Sequence, residues 1–181
     1  MCSLKVTRKD KTVEMVIMLS DKENNLDRQI AEILSRKGAD VVLDNMISDK
    51  EGAFTVVNHH KLSDIATKKG IIIVTDSIDN LKSQHLPEGV VGICSEDNLN
   101  ALKFFKANNT PVITCGRGSK NTLTVSSVSE DSMLLSLQRN IEDINGRQIE
   151  PCEIKVNILK NEDIFSVLAA TAVLLMYSIT P

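Results

Sequence analysis

Six short apolar runs punctuate the first 115 residues: VEMVIML (Val13 to Leu19), ADVVL (Ala39 to Leu43), FTVV (Phe54 to Val57), GIIIVT (Gly70 to Thr75), GVVGI (Gly89 to Ile93) and PVIT (Pro111 to Thr114). Runs of this length, bounded by turn residues, predict buried strands. Between the first two lies Leu26 to Lys37, with Leu26, Ile30, Ile33 and Leu34 at helical spacing and Gly38 where a helix C-terminus favours glycine. Asn98 to Ala107 predicts a second helix, with Leu99, Leu102 and Phe105 on one side. Strands that alternate with helices imply parallel pairing, because parallel neighbours need a crossover.

The pattern changes after Cys115. GRGSKN (Gly116 to Asn121) predicts a turn that reverses the chain, followed by strands over Thr122 to Val128, Met133 to Ile141 and Ile154 to Leu159. Asn145-Gly146 is a tight-turn signal between the latter two. Glu162 to Ile179 predicts a helix that is apolar nearly all round and hence buried, with Asp163 near its start. The expected fold is α/β with three layers: a mainly parallel sheet, helices on both faces and a small antiparallel subsheet. One domain over residues 1–181 is expected, divided into a parallel core (1–115), a meander (116–160) and a last core helix (161–181).

Composition narrows the function classes. Charged residues make up 25% and aromatic residues 3%, at a formal net charge of -3, so a basic surface with stacking platforms is missing and nucleic-acid binding is not expected. The apolar run Ile164 to Ile179 is interrupted by Ser166, Thr171 and Ser178 and falls short of the ~20 residues of a membrane span. Cys2, Cys94, Cys115 and Cys152 are scattered and form no CxxC pair, which suggests a reducing cytosol. The N-terminal MCSLKVTRKDK has no apolar core of a secretory signal.

Chemistry-bearing residues are few. A strand, turn and helix in the order Val16 to Val42 often hold a phosphate at the turn. Here that turn has no glycine and no Lys-Ser/Thr pair. His59, His60, His85 and Cys94 offer metal-binding atoms without ligand spacing, and surface or pocket-rim histidines are the better reading. Cys94 lies at a strand end, the edge where α/β sheets bind ligands, but a buried inert thiol is the default. GRGSKN has two glycines and two cations that could touch an anion, although a turn explains it. The acidic stretch Ser95 to Asn98 is accounted for by helix capping.

Taken together and in order, these segments resemble the central, ATP-binding domain of the Mur ligase family, the ATP-dependent amide ligases of peptidoglycan precursor synthesis and their folylpolyglutamate and cyanophycin synthetase relatives. VIMLSDKENNLDRQIAEILSRKGADVV sits where that family has a strand, a GTNGKTT-like loop and a helix. FTVVN resembles the strand ending in a magnesium-binding glutamate. IIIVTDSIDNL, GVVGICSED, PVITCG and EDIFSVLAATAVLL resemble later segments of the same domain.

The resemblance does not carry the family's chemistry. Its loop glycines, lysine and threonine appear as Ser20, Asp21, Lys22, Glu23, Asn24 and Asn25, so close backbone approach is compromised and the lysine position is an asparagine. Asp21 and Glu23 set negative charge beside a would-be polyphosphate, a repulsion of roughly 4 kcal/mol per unit charge pair at ~4 Å and an effective dielectric of about 20. The magnesium-binding glutamate appears as Asn58, the family histidine as Asn80 beside a retained Asp79, and the adenine-side asparagine as Cys94, with Glu96 and Asp97 preserving an acidic pair. Glu162, Asp163 and Ser166 replace polar residues of the last helix.

The expectation is therefore a lapsed phosphate loop in a free-standing domain: a pseudoenzyme acting as a binding, scaffolding or regulatory module in a bacterial cytoplasm, with no catalytic residues, no cofactor and no metal. The expected partner is a second copy in a symmetric dimer, or a complete ligase. The alternative is a residual nucleotide- or small-ligand-binding domain, or an enzyme that reuses the cleft, with Asn58, Thr75, Asp79, Asn80 and Cys94 lining the pocket.

Overall fold

The computed structural model describes residues 14–20, 25–44, 46–59, 67, 69–75 and 85–181. Strand β1 (Glu14–Leu19) leads into helix α1 (Leu26–Arg36), β2 (Asp40–Leu43), β3 (Met46–Ser48), β4 (Phe54–His59) and β5 (Gly70–Val74). Next come β6 (Val90–Ser95), α2 (Leu99–Ala107) and β7 (Val112–Gly116). The remainder comprises β8 (Leu123–Val128), β9 (Ser132–Leu137), β10 (Ile141–Glu142), β11 (Gln148–Ile149), β12 (Cys152–Asn157) and α3 (Ile164–Met176). Among the described residues, ten strands form one sheet in the order β12-β9-β8-β7-β6-β5-β1-β4-β2-β3, and β10 and β11 form a separate ribbon.

The strands from β2 to β8 across the middle of this sheet run parallel, as the alternation of strand and helix requires. Strand β5 is buried along its whole length between β1 and β6, which is why GIIIV carries no polar alternation. One face is covered by α1 and α3. Ile30, Ala31 and Leu34 of α1 pack with Val167, Leu168, Ala170 and Leu174 of α3 over Val16, Met18, Ile71 and Ile73. The opposite face is covered by α2, whose Ala101, Phe104 and Phe105 meet Ile17, Leu19, Ile72, Val74 and Cys94. Helices on both faces of a mainly parallel sheet give the three layers expected from the sequence.

Local signals act as read. Asp163 caps α3, its carboxylate accepting from the N–H groups of Phe165 at 2.8 Å and Ser166 at 3.2 Å. Asn98 caps α2 by accepting from Ala101 N–H at 3.0 Å. Helix α3 buries ten of its residues, so its nearly uniform apolarity reports burial, and no described helix is long and apolar enough to cross a membrane.

Four details differ from the sequence reading. The GRGSKN turn does not reverse the chain: β7 and β8 pair parallel at Cys115↔Leu123 and Gly116↔Thr124, so the antiparallel strands β8, β9 and β12 continue the main sheet. The predicted strand from Met133 to Ile141 stops at Leu137, and Asn145-Gly146 closes the β10–β11 ribbon, with Gly146 at φ 80°. Strand β3 was not foreseen, because three residues are too few to show a period. On α2 the buried stripe runs through Ala101, Phe104 and Phe105, while Leu99 is 63% exposed. After β4 the sequence also suggests a short segment around Leu62 to Ala66, which lies outside the described residues.

Candidate functional site

Strand β1 is flanked by β4 on one side and β5 on the other, and the chain leaves it toward β2 before returning to β5. This reversal of direction makes the C-terminal end of β1 the crevice where an α/β sheet ordinarily binds its ligand. Three residues singled out in the sequence meet there: Ser20 just after β1, Asn58 near the end of β4, and Thr75 just after β5.

The side chain that organises this corner is Asp27, in the first turn of α1 and buried. The Ser20 hydroxyl lies 3.2 Å from Asp27 Oδ2 and 3.2 Å from Asn58 Oδ1 and can donate to either. The Asn58 side-chain amide donates to the same Asp27 Oδ2. Asp27 Oδ1 accepts from the backbone N–H of Arg28 at 2.8 Å. Asn25, the residue before the helix, makes no capping bond through its side chain. A helix N-terminus attracts an anion because its first N–H groups lack intrahelical partners and the helix dipole is positive there. In this chain one of those N–H groups, that of Arg28, is taken by the Asp27 carboxylate. Thr75 faces the strand instead, its N–H and Oγ1–H both donating to Leu19 O at 3.0 Å.

A second anion-type position is filled in the same way. The N–H of Gly118, within GRGSKN, donates to Glu96 Oε1 at 3.2 Å, and Glu96 N–H donates to Cys115 O at 3.2 Å. A Cβ built at Gly116 would stand 2.5 Å from Glu96 Oε1, so this close approach depends on glycine.

The remaining candidates separate. Cys94 is fully buried under α2, and desolvation pushes its thiol up to about 12, which leaves no thiolate at neutral pH. Burial also raises Cys115, on the other face of the sheet. His59 and His85 are exposed, and among the described residues no group of three or more His, Cys, Asp or Glu side chains could hold a metal ion. Asp21, Lys22, Glu23, Asn24, His60, Asp79 and Asn80 lie outside the described residues. A cavity of about 740 Å³ opens at the opposite, N-terminal edge of the strands, beside the β10–β11 ribbon, and none of Asn58, Thr75 or Cys94 lines it. Sequence reasoning missed Asp27 and its role, although an acid in a first helical turn, two residues after Asn25, was a visible signal.

The layered α/β fold is of the kind found in Mur ligases, as comparison with solved structures shows. No protein-family model and no curated protein sequence matches the chain. Among solved structures, it is similar to a murein peptide ligase from Psychrobacter arcticus, with a TM-score of 0.54 and 10% identity, covering 92% of this chain and 44% of that one. It is also similar to the UDP-N-acetylmuramate:L-alanyl-gamma-D-glutamyl-meso-diaminopimelate ligase from Neisseria meningitides, with a TM-score of 0.52 and 13% identity, covering 93% of this chain and 62% of that one. A UDP-N-acetylmuramoyl-L-alanyl-D-glutamate–2,6-diaminopimelate ligase matches with a TM-score of 0.50 and 11% identity, over 93% of this chain and 43% of that one. The chain thus spans about half the length of these ligases, and the likeness is one of fold.

Proposed function

We propose that this chain is a non-catalytic relative of the Mur ligase central domain, a binding, scaffolding or regulatory module connected with cell-wall precursor or related amide-ligase pathways in a bacterial cytoplasm. One observation carries the reading: Asp27, in the first turn of α1, accepts from the Arg28 N–H and from the side chain of Asn58, and lies within hydrogen-bond distance of the Ser20 hydroxyl. A triphosphate approaching that corner meets a buried carboxylate where it needs free N–H donors and a cation. Asn58 supplies only a neutral oxygen where a magnesium ion favours charge, and its amide is already committed to Asp27.

Glu96 supports the same reading from the ends of β6 and β7, because it accepts from one donor of GRGSKN, the Gly118 N–H. With a carboxylate of the chain's own set at each position, the fold keeps its architecture and gives up the activation of a phosphate.

The test is a melting-temperature titration with ATP and magnesium. A lapsed site gives no shift at any nucleotide concentration. Genuine binding stabilises by about 2.7 kcal/mol at a hundredfold excess over the dissociation constant, or roughly 5–10 °C for a domain of this size. Such a shift would overturn the proposal in favour of residual nucleotide binding.

A further inference from the structure

Strand β12 ends the sheet among the described residues, and its outer edge has a sequence that complements itself. The ladder with β9 fixes which groups face outward. Ile158 N–H donates to Asp131 O, one step beyond the Asn157↔Ser132 pair, so Asn157 occupies a position without direct hydrogen bonds to β9. Alternation then directs the N–H and C=O groups of Cys152, Ile154 and Val156 inward to β9. Those of Glu153, Lys155 and Asn157 point outward. Val156 is buried in the core under α1 and α3, and Ile154 packs against it, so Glu153 and Lys155 project from the other face, where both are exposed.

We propose that β12 pairs antiparallel with β12 of a second copy, about a two-fold axis through Ile154. The proposal names the partner of the binding module described above and rests on that reading only in this respect; the edge itself is independent of the phosphate corner. In this register Glu153 stands opposite the partner's Lys155, and Lys155 opposite the partner's Glu153. Both members of each pair have outward N–H and C=O groups, as a hydrogen-bonded antiparallel pair requires. Ile154 faces the partner's Ile154 at the axis, on the core side of the sheet. Opposite charges placed directly across two strands attract, and like charges repel.

The neighbouring registers are penalised. An axis through Glu153 sets it against the partner's Glu153, and an axis through Lys155 sets two ammonium groups together. An axis between residues sets outward groups against inward ones and forms no ladder. Charge and hydrogen-bond parity therefore favour this register over its immediate neighbours, and a closed two-fold contact follows without risk of an open filament. The other end of the sheet offers no equivalent. Strand β3 has three residues, too few for a ladder with two complementary charge pairs.

Sedimentation equilibrium at micromolar concentration tests the proposal, with E153K and K155E as the perturbations. Each variant turns both cross-strand pairs into like-charge pairs, so the dimer dissociation constant rises by about tenfold. An equimolar mixture of the two variants restores opposite charges at every pair and recovers the affinity, as does the double variant E153K/K155E. Independently, Ile154→Cys with Cys2 and Cys152 changed to serine forms a covalent dimer on mild oxidation, because facing residues of a pair without direct hydrogen bonds bring Cα atoms to about 4.5 Å. A monomeric wild type, single variants that dimerise as well as wild type, or a mixture that fails to recover would overturn it. None of these results bears on the nucleotide titration, so the two readings fail separately.

Discussion

Replacing Asp27 with alanine removes the acceptor on which the strand-end corner converges. Three donors lose their partner: the Ser20 hydroxyl at 3.2 Å, the Arg28 N–H at 2.8 Å and the Asn58 amide. Hydrogen bonds to a carboxylate are worth about 1.5–3 kcal/mol each when a single partner is lost, but Ser20 and Asn58 can still bond each other, and Arg28 lies beside solvent. Helix α1 also loses a carboxylate at its positive end, about 0.3–1 kcal/mol. The expected destabilisation is about 2–3 kcal/mol, seen as a melting temperature lower by roughly 5–10 °C. Asn58→Ala alone should cost about 1 kcal/mol, and the double variant should fall short of the sum by about 1 kcal/mol because the two side chains share one bond. Urea unfolding of the four proteins measures all of this. A D27A variant within about 0.5 kcal/mol of wild type, or strict additivity with N58A, would refute the view that Asp27 holds this corner.

Two further outcomes concern other parts of the fold. At Gly92 a Cβ would stand 2.7 Å from the Phe105 ring, so Gly92→Ala should destabilise by about 1–3 kcal/mol in urea unfolding, and F105L in the same chain should recover part of the loss. Asp143 accepts from the backbone N–H of Arg147 and of Asn145 at 2.8 Å each, and from the Ser178 hydroxyl at 2.9 Å; these bonds, the Arg147 one foremost, hold its carboxyl below the usual range. Because the folded value is depressed, the stabilisation is complete above the unfolded value of about 4 and fades as pH falls through the lower folded value. The stability gap between wild type and D143N should therefore be widest above about pH 4 and close on acidification, and a gap that does not change with pH would exclude this linkage.

The strands β1, β2, β4, β5, β6 and β7, the three helices named above and the α/β class were legible because burial on both faces leaves continuous apolar runs and amphipathic helices leave periodic ones. Glycine and cap signals near Gly38, Asn98 and Asp163 marked helix ends for the same local reason. What failed was non-local. GRGSKN has the composition of a reversing turn, yet the chain continues parallel, and Glu96, just after β6, bonds inside the turn. No property of those six residues carries that information.

The candidate site divides along the same line. That the turn after β1 lacks glycines and a lysine is written in the chain, and so is the loss of charge at Asn58. Sequence separation hides the rest: Asn58 reaches Asp27 across 31 positions, and Glu96 reaches Gly118 across 22. Composition and periodicity by themselves determined a layered α/β chain, since each strand or helix answers to its own neighbours and to burial. Only the tertiary structure decided which carboxylate fills which donor and which strand is left at the sheet's end, because hydrogen bonds are directional and reach only about 3 Å, so partners exist only once packing has brought them together.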